Sequence, residues 1–78
     1  MGKFTLKIQN DIIKIKSTYP KEKFSFSTDI LSINYVDIKN DSFTIILNEG
    51  STHYFPVVLH EKNIAIFKEN NIDIKVEK

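Results

Sequence analysis

Residues 3–16, KFTLKIQNDIIKIK, decide the fold, because apolar and polar side chains alternate along them on both sides of one Asn-Asp pair. Alternation with a period of two is typical of a β-strand with one buried face. Asn10-Asp11 tolerates the positive φ angles of a two-residue hairpin turn. A turn there sets Ile8 opposite Ile13 and brings the alternating apolar side chains to one face: Phe4, Leu6, Ile8, Ile13 and Ile15. The segment therefore predicts a β-hairpin in this register.

A second hairpin is predicted from about residue 30 to residue 47, with its turn at Asn40-Asp41. The alternation of its first strand starts at Leu31 and changes face between Tyr35 and Val36. A slip of one residue in this pattern indicates a β-bulge near Tyr35.

Three shorter strands complete the β-structure. Phe24-Ser25-Phe26 alternates after a polar connection over residues 17–23. Asn48–Ser51 turns the chain into a strand over Thr52–Val58, and its register is open between a two-residue and a three-residue loop. Ile72–Val76 alternates as the last strand.

Residues 59–71 fit two structures. Apolar residues at helical spacing, followed by Asn70-Asn71 as a left-handed C-cap, predict a short helix from His60 to Asn70. A strand through Ile64 and Ile66 is the alternative. We favour the helix.

These elements predict an α+β fold that is mostly antiparallel β. We expect a small roll or partly closed barrel of six to seven strands, with one short helix near the C-terminus. The length of 78 residues suits a single compact domain, 1–78.

Composition narrows the class of protein. The chain has no cysteine, which excludes disulfides and thiolate metal sites. Its longest apolar run is four residues, Ile64–Phe67, so we expect no membrane span and no signal peptide, and we expect a cytoplasmic location. Every basic residue is lysine, and thirteen isoleucines and seven asparagines accompany them. This bias indicates an AT-rich bacterial or phage genome.

The sequence carries no recognisable catalytic constellation. His53 and His60 are the only histidines, and neither belongs to a metal-binding spacing. The carboxylates Asp37 and Asp41 are expected to be solvated turn residues. We therefore predict that the chain is not an enzyme and has no catalytic residue, metal site or cofactor.

Charge is distributed unevenly along the chain. The formal net charge is +1, but residues 1–23 carry +4 and residues 24–78 carry −3. In the predicted first hairpin four lysines share the outer face: Lys3, Lys7, Lys14 and Lys16. This face suits an anionic partner such as a phosphorylated head group, a nucleic-acid backbone or an acidic protein surface. The alternative is that these lysines only solvate the sheet and deter pairing at its edge.

A second candidate surface is apolar. Tyr35, Ile46 and Tyr54 are expected on the sheet face opposite the core, where an exposed cluster would mark a protein interface. The alternative is that the helix covers it.

The order of elements resembles a pleckstrin-homology-like domain of the small bacterial type. The segments that carry the resemblance are Asp29–Tyr35, Phe43–Leu47 and Tyr54-Phe55, followed by the predicted helix. The resemblance implies phosphate contacts from lysines of the first two strands, here Lys7, Lys14 and Lys16. The predicted first turn is tighter than the phosphate-holding loop of that family, and a strand follows the helix.

Three functional hypotheses follow. The first is a non-catalytic protein-binding module, specifically a phage or mobile-element inhibitor that occludes a surface of its partner. The second is a binder of anionic lipid head groups or polyphosphate through the basic hairpin, with nucleic-acid backbone as a weaker candidate because arginine and a stacking platform are missing. The third is assembly into a homo-oligomer, through a sheet edge or the tyrosine face.

Overall fold

The computed structural model describes residues 3–18 and 23–76, so most of the connection predicted over residues 17–23 lies outside the described residues. The chain divides into two compact units, Met1–Ile30 and Leu31–Lys78. That the two units fold as one domain stays a prediction. The elements in chain order are β1 (Phe4–Gln9), β2 (Ile12–Ser17), β3 (Phe24–Asp29), a 3-10 turn (Ile30–Ser32), β4 (Ile33–Ile38), β5 (Phe43–Leu47), β6 (Thr52–Phe55), α1 (Glu61–Glu69) and β7 (Ile74–Val76).

The first unit is an antiparallel sheet in the order β1-β2-β3. Ile8 lies opposite Ile13, as predicted. Asn10 and Asp11 have φ angles of 55° and 63°, which are typical of a type I′ turn. The hairpin prediction is confirmed, and β3 extends to Asp29, three residues beyond the predicted short strand.

One face of this sheet is apolar and largely buried. Leu6, Ile13 and Ile15 are at most 7% exposed. At the end of the sheet far from the hairpin turn, the rings of Phe4 and Phe24 meet edge to face with centroids 6.5 Å apart. Every residue that alternates with these apolar positions faces the other side, which therefore carries polar side chains together with Ile12.

The second unit is a four-stranded sheet in the order β6-β5-β4-β7. Ile38 lies opposite Phe43, and the register shifts between Ile33 and Tyr35. The predicted second hairpin and its bulge are thus confirmed. The last strand corrects the antiparallel expectation, because β7 pairs with β4 in parallel.

Residues of β4, β5 and β6 form the core face of this sheet, and two of its aromatic rings stack on each other. The rings of Phe43 and Phe55 stack at 4.8 Å with an interplanar angle of 22°. The buried residues on this face are Ile33, Val36, Ile38, Phe43, Ile45, Leu47 and Phe55.

A three-residue loop, 48–50, joins β5 to β6. The Leu47 amide donates to the Ser51 carbonyl at 2.8 Å, and Gly50 has a φ of +104°, a conformation that other residues rarely adopt. Of the two loop lengths that the sequence allows between β5 and β6, the three-residue loop is therefore the correct one. β6 then ends at Phe55 rather than at the predicted Val58, because Pro56 has no N–H for a sheet ladder.

Leu31 belongs to the 3-10 turn before β4 and not to the strand itself. Leu31 is 79% exposed, so the prediction that it belongs to the alternating strand is wrong. The turn is held by Asn48, whose side-chain amide donates to the Leu31 carbonyl and whose backbone amide donates to the Ser32 carbonyl, both at 2.9 Å.

Helix α1 confirms the helical alternative for residues 60–70. His60 is the N-cap residue. At the other end, the Asn71 amide donates to the Lys68 carbonyl and the Ile72 amide donates to the Phe67 carbonyl, while Asn71 has a φ of 60°. This is a Schellman ending, closed by the buried side chains of Phe67 and Ile72.

The small β-rich class is therefore confirmed, with seven strands and one short helix over residues 3–18 and 23–76. The predicted roll or partly closed barrel is wrong, because the strands hydrogen-bond in two separate sheets. The 3-10 turn separates the last strand of the first sheet from the first strand of the second. The helix lies late in the chain but not at its end, since β7 follows it. Among the described residues no helix is long and apolar enough to cross a membrane.

Candidate binding surfaces

The four lysines predicted to share a face are brought together by the first sheet. Lys3 precedes β1, Lys7 lies in β1, and Lys14 and Lys16 lie in β2, and all four are exposed. Lys7 is directly opposite Lys14 across the two strands. We call these four residues the basic face.

The lysines of β2 have neutral hydroxyl residues as their neighbours on β3. Lys14 has Ser27 as its neighbour on β3, and Lys16 has Thr5 on one side and Ser25 on the other. The acidic residue that the register places on this face is Asp29, at the far end of β3 opposite Ile12. Positive charge is thus concentrated along the middle of the sheet.

Lys23 is a residue of this surface that the sequence reasoning missed. It is exposed and directly precedes β3. The β2–β3 register, continued by one residue beyond Ser17 and Phe24, sets Lys23 opposite Thr18. The sequence contains a pattern that indicates this placement, because the polar residues Lys23, Ser25 and Ser27 alternate with Phe24 and Phe26. The prediction of a polar connection over residues 17–23 left Lys23 out of the strand.

A shallow depression lies on the basic face close to the hairpin turn. Its volume is about 320 Å³, and it is lined by Lys7, Gln9, Asn10, Ile12 and Lys14. Two ammonium groups with two side-chain amides can neutralise and hydrogen-bond a small anion.

The apolar candidate surface lies on the outer face of the second sheet. Tyr35 is opposite Ile46, and Tyr54 on β6 is the diagonal neighbour of Ile46, whose direct partner there is Thr52. Tyr35 and Ile46 are half-buried, whereas Tyr54 is 63% exposed. Helix α1 therefore does not cover Tyr54, and the alternative of a surface covered by the helix is wrong for this side chain.

Asp37 lies on this outer face and differs from expectation. It belongs to β4, between Thr44 of β5 and Lys75 of β7, rather than to a solvated turn. Its Oδ1 atom is buried without a hydrogen-bond partner. No pattern in the sequence indicates this, because the burial of one carboxylate oxygen depends on neighbours that are distant in the chain.

The two histidines belong to different elements. His53 is half-buried opposite Ile45 on the second sheet, and His60 caps α1 without a side-chain hydrogen bond to the helix. Over residues 3–18 and 23–76, no group of three or more His, Cys, Asp or Glu side chains is arranged to hold a metal ion.

Comparison with known proteins gives no match: no family model, no curated protein and no solved structure is similar to this chain. The resemblance to pleckstrin-homology-like domains stays a prediction.

Proposed function

We propose that this chain is a non-catalytic protein-binding module whose basic face binds an acidic surface on a partner protein. The observation that carries the proposal is the position of Lys14 and Lys16 in β2, the central strand of the first sheet. Lysines that protect a sheet from pairing belong on edge strands. Edge protection can therefore explain Lys7 in β1 and Lys3 directly before it, but not the two lysines of β2.

Recognition by such a face rests on charge rather than on directional hydrogen bonds. Lysine presents a compact and strongly hydrated point charge, whereas arginine presents a planar fork that reads carboxylates and phosphates bidentately. A lysine surface accelerates encounter with an acidic partner and loses affinity steeply as salt is added. The apolar set of Tyr35, Ile46 and Tyr54 offers a second contact surface of the kind enriched in interface cores.

The finer hypothesis, a phage or mobile-element inhibitor that occludes a partner surface, is part of this proposal. Its support is the small size and the lysine, isoleucine and asparagine bias of the chain. A fold of this kind does not by itself specify a function, so the identity of the partner has to come from capture.

The test is affinity capture from a bacterial lysate with three baits: the wild type, Lys14→Gln/Lys16→Gln, and the control Lys62→Gln/Lys68→Gln. The control removes the same charge from exposed lysines of α1. We expect the wild type and the control to retain one stoichiometric acidic protein that the β2 variant loses. Equal retention by all three baits, or retention by none, would contradict the proposal.

The depression between Lys7 and Lys14 favours a second candidate function, the binding of anionic lipid head groups or polyphosphate. Co-sedimentation with phosphatidylserine vesicles, with soluble polyphosphate as competitor, separates the two ligands. We expect Lys7→Glu/Lys14→Glu to abolish binding, and Lys62→Glu/Lys68→Glu to preserve it. Vesicle binding that both double variants retain would exclude this site.

A further inference from the structure

We propose that the open edge of β3 binds the β3 strand of a second copy of this chain, so that two three-stranded sheets form one six-stranded antiparallel sheet. The inference is independent of the partner proposed for the basic face. The pairing follows from the hydrogen-bonding direction and composition of β3, and from the charges of Lys23 and Asp29 at its two ends.

The hydrogen bonds of the first sheet determine which backbone groups of β3 point outward. The Thr18 amide donates to the Lys3 carbonyl, so the pairs of β1 with Thr18, Lys16, Lys14 and Ile12 exchange hydrogen bonds. Bonding alternates along an antiparallel strand, so the residues between these positions on β2 bond to β3. Consistent with this, the Ile30 amide donates to the Asp11 carbonyl at 2.9 Å.

It follows that Phe24, Phe26 and Thr28 direct their backbone groups to β2. Ser25 and Ser27 direct theirs away from it, to the side where no other strand pairs among the described residues. Both serines are exposed. β3 therefore presents a row of backbone donors and acceptors that can accept another strand.

The other sheet edges are protected and β3 is not. β1 carries Lys7 in its middle, β6 has four residues and is followed by Pro56, and β7 has three residues. β3 has six residues, with no lysine, proline or bulge, and its single charge lies at its end. Short strands, lysine and proline are the usual protections of an edge.

The direction of the backbone groups and the side-chain faces restrict how two β3 strands can pair. Outward-pointing residues must face each other, and apolar side chains must stay on one side of the joined sheet. Two registers meet both conditions with five residues of each β3 strand paired. One sets Ser27 opposite Ser27 of the second copy, and the other sets Phe26 opposite Phe26 and Ser25 opposite Ser27. In the register with Phe26 opposite Phe26, Phe24 faces Thr28 on the apolar side.

The same register sets Lys23 of each copy opposite Asp29 of the other. Because the arrangement is two-fold symmetric, this opposite-charge pair occurs twice, at the two ends of the joined strands. Shifting the register by two residues in either direction separates both pairs. Charge complementarity thus selects one register, and in it the lysines of both basic faces lie on the same side of one continuous sheet.

Sedimentation equilibrium of the full chain tests the proposal, with Asp29→Lys, the charge swap Lys23→Asp/Asp29→Lys, and the control Glu49→Lys. We expect a dimer whose dissociation constant rises by about tenfold in Asp29→Lys. The charge swap should restore it to about the wild-type value, and Glu49→Lys, the same charge change on an exposed turn of the second unit, should leave it unchanged.

Ser27→Pro provides a second and charge-independent variant. It removes an N–H that points away from β2, and an edge strand accommodates proline at such a position. We expect this variant to be folded by circular dichroism and monomeric by sedimentation equilibrium. Amide exchange at Ser25 and Ser27 in the wild type should slow as protein concentration rises. A wild type that stays monomeric at millimolar concentration would overturn the proposal, as would a dimer that neither Asp29→Lys nor Ser27→Pro weakens.

Discussion

Lys7 and Lys14 lie directly opposite each other across β1 and β2, at a position of the sheet whose third residue, Ser27, is uncharged. Like charges at directly opposed positions of a sheet are destabilising. The first sheet therefore keeps an unfavourable pair on its exposed side, while its buried side is packed with isoleucine, leucine and phenylalanine. A pair of this kind is expected where a surface is used for binding an anion.

Replacing Lys14 with threonine is expected to stabilise the chain. The change removes the repulsion from Lys7 and introduces a residue that favours β-strands. We expect the free energy of unfolding in urea to rise by about 0.2–1 kcal/mol at low ionic strength. In 1 M NaCl the part of the gain that comes from charge should largely disappear, because salt at this concentration screens exposed charges that are more than about 3 Å apart.

Lys16→Thr is the matched control for this prediction. It lies on the same strand and the same face, but its direct neighbours are Thr5 and Ser25. Its gain should be smaller and less dependent on salt. Equal gains with equal salt dependence would show that the opposed pair has no special effect.

The turn of the first hairpin depends on positive φ angles, and Asp11 at 63° is the position to test. Glycine adopts this conformation freely, whereas alanine meets a steric penalty of about 1–2 kcal/mol. We expect Asp11→Gly to be more stable to urea than Asp11→Ala by about 1 kcal/mol.

Asp41, in the turn of the second hairpin, has no positive φ angle and provides the control. There we expect alanine to be at least as well tolerated as glycine, since glycine only adds freedom to the unfolded chain. The same preference for glycine at both positions would contradict the assignment of a left-handed turn to Asp11.

The elements that could be predicted from sequence are those fixed by local pattern. Alternation on both sides of Asn10-Asp11 leaves one register that places Phe4, Leu6, Ile8, Ile13 and Ile15 on the same face. The face change at Tyr35 identifies the bulge in the same way, and Asn71 marks the end of α1 because asparagine tolerates the left-handed conformation.

What could not be predicted depends on partners distant in the chain. β7 pairs in parallel with β4, and the residues of β7 look the same whichever direction they pair. The second half of β3 contains Ser27, Thr28 and Asp29, which form a strand only because β2 lies beside them. The exposure of Leu31 follows from hydrogen bonds that Asn48 supplies from another turn.

Asp37 is the position where we expect a polar-to-polar substitution to stabilise the second sheet. Its Oδ1 atom is buried without a hydrogen-bond partner, and such a group costs about 1–3 kcal/mol. Asp37→Thr removes this acceptor and favours the strand, so the free energy of unfolding should rise by about 1 kcal/mol.

Asp37→Asn is the matched comparison because it keeps a carbonyl oxygen as an acceptor at the same place. We expect it to gain less than the threonine variant. If both variants were equally stable in urea denaturation, the unpaired oxygen would not be the cause of the gain.

Phe67→Ala tests whether the two compact units fold as one domain. Phe67 is fully buried, and deleting a buried phenylalanine side chain costs about 3–5 kcal/mol, close to the whole stability of a domain this small. The first unit comprises Met1–Ile30, and chains below about 40 residues rarely stay folded without disulfides, metals or association. We therefore expect the variant to lose the dispersed amide NMR signals of β1–β3 together with those of β4–β7.

Lys68→Ala, the neighbouring exposed position on α1, should keep both sets of signals. If β1–β3 stayed dispersed while β4–β7 unfolded in Phe67→Ala, the first unit would fold on its own and the single-domain prediction would be wrong.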